Sequence, residues 1–272
     1  MPAGMLSACR ARPLLLGVAL ALAAPLAQAA DMIEPDRPDV TDSTTTVGRG
    51  VFQIETGVEY SRTSEGGGPP EYWLSVPIVL RVGLIDRLEV QLGGEALVRL
   101  RNSEEDTGNG DLTIALKYRF LHANEGDWWP ALGVLPYVKV PTARAPIGTE
   151  RPDFGATLLV GFNLPWDLAL DANAGLAAIG QTHSGGFLLQ GLVSASLQRT
   201  LLAERLVVFG ELFFFSRGER DGRDRFGGDS GLIYRLTPNL AVDAAVETTL
   251  AGGGPDYTIR AGLSTRFGRV TR

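Results

Sequence analysis

Between residues 51 and 60 apolar and polar positions alternate. Phe52, Ile54, Val58 and Tyr60 share one parity, and Gln53, Glu55 and Glu59 share the other. A period of two sends successive side chains to opposite faces of a β-strand, so this stretch predicts a strand with one apolar and one polar face. The pattern recurs. Tyr72, Leu74, Val76, Ile78, Leu80 and Val82 form a second apolar face, and Leu88, Val90, Leu92 and Ala96 a third. Leu112, Ile114, Leu116, Tyr118 and Phe120 alternate with Asp111, Thr113, Lys117 and Arg119. Further strands are predicted over 131–140, 154–162, 168–176, 187–197, 206–214, 232–236, 240–246 and 257–267, twelve in all. Pro77 and Pro136 interrupt their runs; proline has no amide hydrogen for a ladder, so each predicts a bulge or a gap in pairing. Over 131–140 either parity fits.

The connections alternate too. Short turns at Ile85-Asp86, Leu164-Pro165-Trp166 and Thr237-Pro238-Asn239 are separated by longer loops rich in Gly, Asp and Ser at 61–70, 101–110, 142–152 and 216–228. Two connections, 121–130 and 199–204, are longer than a short turn requires. An even number of antiparallel strands with short periplasmic turns and long outer loops is the layout of an outer-membrane barrel. Aromatic residues on the apolar parity fall at strand ends. Tyr60, Tyr72, Phe154, Phe187, Phe214 and Tyr257 lie toward the loops, and Phe52, Tyr118, Phe120, Phe162, Tyr234 and Phe267 toward the turns, with Trp128, Trp129 and Trp166 in the turns themselves. Two bands of amphipathic rings suit the two interfaces of a bilayer and have no purpose in a soluble sandwich. The predicted fold class is all-β: a single antiparallel transmembrane β-barrel of about twelve strands.

The chain start fits export. Arg10 and Arg12 precede an uncharged apolar run, 14–22, too short to span a bilayer, and Ala27-Gln28-Ala29 supplies a small-x-small cleavage site. Residues 1–29 are therefore predicted to be a cleaved signal peptide. Leu6-Ser7-Ala8-Cys9 resembles a lipobox but precedes the apolar run instead of following it. The remaining divisions are an irregular periplasmic segment at 30–46, the barrel at 47–267, and a tail at 268–272. Cys9 is the single cysteine, so the exported chain has no disulfide framework and no thiolate metal site. With Arg10 and Arg12 removed its net charge is about −8, which argues against a nucleic-acid partner.

The polar parity is the candidate lumen, and it is rich in charge. Arg81, Arg87, Lys117, Arg119, Arg205, Arg235 and Arg266 fall toward the turn end; Glu55, Glu89, Asp171, Glu211, Asp243 and Glu247 lie nearer the middle, and Arg260 shares their parity. Charges in a narrow lumen must be paired or hydrated. They can brace the barrel as a salt-bridge network, line a selective path, or do both. Phe209, Phe213 and Phe215 share the parity of Glu211 and either offer an apolar patch to solutes or pack against the wall. The segment before the first strand is too irregular for a strand. Either it is a disordered periplasmic tail or it folds into the mouth as a plug, with Asp36, Asp39 and Asp42 meeting the arginines there and Arg37 among them.

Catalysis has little support. His122 lies in a turn, and His183 beside Ser184 in a Gly-rich loop cannot hold a base against a nucleophile. Without clustered His or Cys no metal site is expected, and no cofactor. Gly108-x-Gly110 and Gly252-Gly253-Gly254 read as turn glycines, since no helix follows to make a phosphate site.

Asp36-Arg37-Pro38-Asp39-Val40-Thr41-Asp42 followed by Gly48-Arg49-Gly50-Val51-Phe52-Gln53-Ile54-Glu55-Thr56-Gly57 resembles the opening of the outer-membrane transporter family named after the meta-pathway of phenol degradation. Gly108-Asn109-Gly110-Asp111-Leu112, Lys117-Tyr118-Arg119, Glu211-Leu212-Phe213, Leu236-Thr237-Pro238-Asn239-Leu240 with Asp243, and the ending Arg266-Phe267 are similar to later landmarks of that family. Residues 268–272 depart from it, because such barrels usually stop at the terminal aromatic. The resemblance implies a transporter of small compounds, aromatic ones among them. The expected function is passage of small molecules through a narrow charged lumen in the outer membrane, reached by secretory export. A structural or adhesive barrel with a closed lumen is the alternative, and a lipid hydrolase at the rim a further one. Expected partners are outer-membrane lipid and lipopolysaccharide, the barrel assembly machinery through the C-terminal strand, and a small-molecule solute.

Overall fold

The computed structural model describes residues 32–64, 68–124, 126–182 and 184–268; the signal-peptide reading, His183 and the last four residues lie outside them. Among the described residues thirteen strand segments form one antiparallel sheet: β1 (Phe52–Thr63), β2 (Glu71–Ile85), β3 (Leu88–Arg101), β4 (Glu105–Gly108), β5 (Leu112–Leu121), β6 (Ala131–Val140), β7 (Asp153–Leu164), β8 (Leu168–Gly180), β9 (Phe187–Leu201), β10 (Leu206–Phe215), β11 (Arg225–Thr237), β12 (Leu240–Gly252) and β13 (Tyr257–Phe267). β4 and β5 both pair with β3, through Arg101↔Glu105 at one end and Leu88↔Tyr118 at the other, so they are one wall strand broken at 109–111. The wall therefore has twelve strands. It closes where β1 pairs with β13 from Phe52↔Phe267 to Arg62↔Tyr257, which leaves no free edge.

Side-chain parity builds the two surfaces. Outward positions such as Val58, Leu116, Leu176, Leu189 and Val246 are exposed apolar residues, while Glu55, Arg81, Glu89, Lys117 and Glu247 on the other parity are buried. Buried polar and charged side chains outnumber buried apolar ones, the reverse of a soluble domain and what a membrane wall around a polar interior requires. Rings gather at both ends. Tyr60 stacks on Tyr72 at 6.2 Å and Phe154 meets Phe187 at 5.9 Å near the loops; Tyr118 meets Phe120 at 6.5 Å near the turns.

Both prolines disturb pairing. Pro77 pairs with Glu95 and its neighbour Val76 with Leu97, which leaves Ala96 as the extra residue of a bulge in β3. That extra residue reverses the inward parity, so Glu95 faces the lumen below it while Val98 and Leu100 are the buried positions above. At Pro136 the β5–β6 ladder skips from Ala115↔Tyr137 to Tyr118↔Val134. The parity of β6 is set by burial of Ala131 and Leu135, of which Leu135 packs inward with Ala115, Leu159 and Tyr137.

Several strands run further toward the loops than the sequence pattern indicates. β3 and β4 carry ladder through half of the region expected to be a loop at 101–110, and β11 begins at Arg225, seven residues before its alternation becomes regular. Glycines explain β11. A Cβ at Gly227 would stand 2.5 Å from Phe213 Cε2, and one at Gly231 would stand 2.8 Å from Phe209 Cε1. The strand is side-chain-poor there because two rings from β10 pack against it.

Candidate functional site

Residues 32–51 do not hang below the barrel as a periplasmic segment. They run through the lumen as a strap. Ile33 donates its amide to Pro238 O (2.9 Å) in the β11–β12 turn and packs with Val207, Ile233 and Ala241. The chain then rises, and the amides of Val40 and Thr41 both reach Glu211 Oε2 at 3.1 Å. Thr41 Oγ1 meets Ser194 Oγ at 2.7 Å, and Asp42 and Asn173 exchange two hydrogen bonds through the Asp42 backbone. From there it descends. Val47 N donates to Glu89 Oε2 (2.7 Å) and Thr46 Oγ1 to Asp86 O (2.8 Å) in the β2–β3 turn, before the chain enters β1. The apex is at mid-barrel, and both limbs end at the turns.

Charge fixes this path. On one wall Arg81, 1% exposed, holds Glu55 at 3.0 Å, Glu89 at 2.8 Å and the strap's Asp36 at 2.8 Å. Lys117 on β5, fully buried, pairs with the same Asp36 carboxylate. Burial opposes charge on Asp36, but Arg81 and Lys117 outweigh it and hold the carboxyl below its ordinary value. The far wall is acidic. Cross-strand register sets Asp171, Ser196, Glu211, Asp229 and Glu247 in one row across β8 to β12. Arg37 turns toward that wall, 3.3 Å from Asp243 and 3.9 Å from Glu59. Its guanidinium occupies a notch where Gly57 and Gly262 face each other across the β1–β13 seam; a Cβ on either would stand 2.5 Å from Arg37 Nη2.

The sequence-derived residues are only partly brought together. Asp36 meets basic groups as expected. Asp39 does not: its Oδ2 accepts from Ser196 Oγ (2.9 Å) among carboxylates, and burial, then Glu211, push its carboxyl well above the usual range. Asp42 has no ion pair among the described residues, and burial raises its carboxyl to about 6, Lys117 lowering it and Asp36 raising it. Arg87 and Arg205 are exposed in the turns and not inside the lumen, because each strand ends before its register carries them inward. Arg119 reaches Asp86 O (3.4 Å), Arg235 reaches Ile33 O and Glu204 O (2.9 and 3.0 Å), and Arg266 reaches Pro238 O (2.9 Å), so these three tie turns and strap at the rim. Arg260 bridges Glu59, Asp229 and Glu247. Glu211 meets strap amides and, among the described residues, has no ion pair with an arginine.

Phe209 and Phe213 are buried on their glycines, and Arg225 lies 5.0 Å over the Phe213 ring. They pack the wall and leave no ring face for a solute. Asn173, Ser194, Ser196 and Asp229 were not singled out by sequence. Parity marks the first three as inward; Asp229 was hidden in the glycine-rich start of β11. Nearer the loops, Lys139 pairs with Asp153 at 2.7 Å and Asp111 at 3.5 Å. Among the described residues no group of His, Cys, Asp and Glu is placed to hold a metal ion.

Residues 35–267 match the family described as "Putative MetA-pathway of phenol degradation". No curated protein matches. Among solved structures, an outer membrane channel from Pseudomonas putida F1 is similar with a TM-score of 0.68 at 16% identity, covering 86% of this chain and 100% of that one. The NanC porin matches at 0.52 and 12% identity, over 79% and 98%. The KdgM porin, solved in complex with disordered oligogalacturonate, matches at 0.50 and 11% identity, over 79% and 99%. These likenesses are of fold.

Proposed function

The chain belongs to the phenol-degradation meta-pathway family, and from that membership and the lumen geometry we propose that it is an outer-membrane channel passing small molecules, aromatic compounds among them. Its short turns face the periplasm and its long loops the exterior, with lipid and lipopolysaccharide around the apolar wall and the C-terminal strand as the handle of the assembly machinery.

The observation that carries this reading is the strap. A barrel with a purely structural role can fill its interior with wall side chains. Here a twelve-stranded lumen, wider than the eight-stranded kind that side chains fill, is occupied at the turn end by a separate segment held through polar contacts. Such contacts can be exchanged for water. Arg81, Lys117 and Glu89 brace one side, the row from Asp171 to Glu247 lines the other, and the remaining path runs between opposite charges. That arrangement supports weak overall ion selectivity with a locally cationic turn-end mouth. Passage needs no catalytic step.

Planar-bilayer recording of the full chain tests the proposal: small, flickering conductance steps are expected, and removal of residues 32–42 should enlarge and steady them. Silence from both proteins would favour the rival reading of a structural barrel, which the occupied turn-end lumen of this state also suits.

A further inference from the structure

On the loop side of the strap the lumen opens into a cavity of about 480 Å³, none of whose lining residues belongs to the strap. That volume is in the range of small-ligand sites. Gly93 and Gly94 leave part of its surface bare, and Pro77, Val79, Ala115 and Ile147 add apolar area. A planar ring can lie against such a face. The polar side is supplied by Glu95, Asp111 and Lys139.

The charges there are unequal. Lys139 Nζ donates to Thr149 Oγ1 at 2.7 Å and is ion-paired with Asp153 at 2.7 Å and Asp111 at 3.5 Å, so its charge is already matched by two carboxylates. Among the described residues that line the cavity no other Lys or Arg is present to receive an anionic solute. Glu95 accepts from Trp73 Nε1 at 3.2 Å and, among the described residues, has no ion pair with Lys or Arg. A carboxylate offers about four lone-pair sites, so Glu95 keeps acceptor capacity toward the cavity.

The position of Glu95 is built. Gly110 donates its amide to Glu95 O (2.9 Å), and a Cβ at Gly110 would stand 2.8 Å from Glu95 Cβ and collide with its Oε2. Asp111 next to it accepts from Ala143 N (2.9 Å), tying down the loop that brings Ile147 and Thr149 over the cavity.

Resting on the channel reading above, we infer that this cavity is a solute-binding site that takes a small uncharged planar molecule donating a hydrogen bond to Glu95, and that turns away carboxylates. Apolar contact supplies affinity, and the uncompensated carboxylate supplies the choice.

Nicotinamide and nicotinate are the probes, one neutral with an amide donor and the other an anion of the same size. Binding is read as saturable quenching of Trp73 fluorescence in detergent, in a chain with Trp128, Trp129 and Trp166 changed to Phe. Nicotinamide should bind at least about tenfold more tightly than nicotinate, and Glu95→Gln should bring the two within about threefold. Glu95→Gln keeps the side-chain shape, and heat-modifiable gel mobility checks that it folds. Equal affinities, quenching that does not saturate, or an unchanged ratio in Glu95→Gln would each overturn the site. Proteoliposome swelling with the same solutes separates the two ideas. Selective binding without swelling removes the channel and keeps the site, and swelling without selective binding does the opposite.

Discussion

Asp36 Oδ2 lies 2.8 Å from Arg81 Nη1, a strap carboxylate docked on a buried wall arginine. Lys117 shares that carboxylate and, among the described residues, has no other ion pair. Removing one member of a buried pair leaves the other uncompensated, at a cost of about 3–5 kcal/mol. The cheapest relief is for the strap limb to leave and admit water to Lys117. Asp36→Asn should therefore raise single-channel conductance severalfold while the barrel keeps its heat-modifiable mobility. Unchanged conductance would mean that this limb does not obstruct the path.

The notch at the seam gives an independent test. Gly57→Ala and Gly262→Ala each put a methyl group where Arg37 Nη2 now lies. Neither glycine has a left-handed φ, but a Cβ at Gly57 would also meet Ala261 O at 2.4 Å, so Gly262→Ala, whose three nearest neighbours are all Arg37 side-chain atoms, is the cleaner variant. Either variant should loosen the strap as Arg37→Gln does, seen as faster limited trypsin cleavage after Arg49. Combining Gly262→Ala with Arg37→Gln should add little, because both act on one contact.

Strap docking should depend on pH through Asp42. Its carboxyl is raised in the docked state to about 6 from an ordinary 3.8, so docking is favoured below that window and weakened as pH rises through about 4 to 6. Asp36 is shifted the other way, so its support is lost as pH falls below about 3.8. Conductance should therefore increase between about pH 4.5 and pH 7. Asp42→Asn should reduce that increase, with Asp39, also raised, carrying the remainder, and a profile unaltered by the substitution would assign the titration to another group.

Wall parity has a test in lipid. Leu116 is 43% exposed on the outer face between the buried Ala115 and Lys117. Arg at Leu116, midway along β5, should cost about 2–4 kcal/mol of folding stability in bilayers, and less at Leu170, which pairs with Phe162 in the turn-side aromatic band. Asp171→Asn on the lumen face should cost far less, since it keeps an acceptor for Gln198 Nε2 at 2.8 Å. Equal costs on both faces would refute the assignment.

Parity was legible in the sequence wherever side chains of contrasting polarity alternate, as from Phe52 to Tyr60. It was lost where the fold uses absence. Gly227 and Gly231 read as loop because their role is to make room for Phe213 and Phe209, and that role exists only once β10 and β11 are paired. The Ala96 bulge was signalled by Pro77, but on the partner strand, which a one-strand pattern does not reach. The charges of the lumen were legible as a set and not as pairs. Asp36, Asp39 and Asp42 look alike in sequence, yet only Asp36 meets a basic wall, because an irregular strap turns each residue in a different direction. Glu95, Asp111 and Lys139 form one cavity only through the registers of β2, β3, β5 and β6.

The strap rises from the β11–β12 turn and returns to the β2–β3 turn, so its two limbs leave through the same opening. A segment threaded from one mouth to the other would have to be pulled along its length, dragging its charges past every constriction. This one is a bight of rope laid into a sleeve. It can be drawn back out by the end that went in, with all twelve staves of the wall still fastened. Whatever grips the chain ahead of Ile33 thus holds a ripcord, and a pull there would clear the passage while leaving the seam between Phe52 and Phe267 shut.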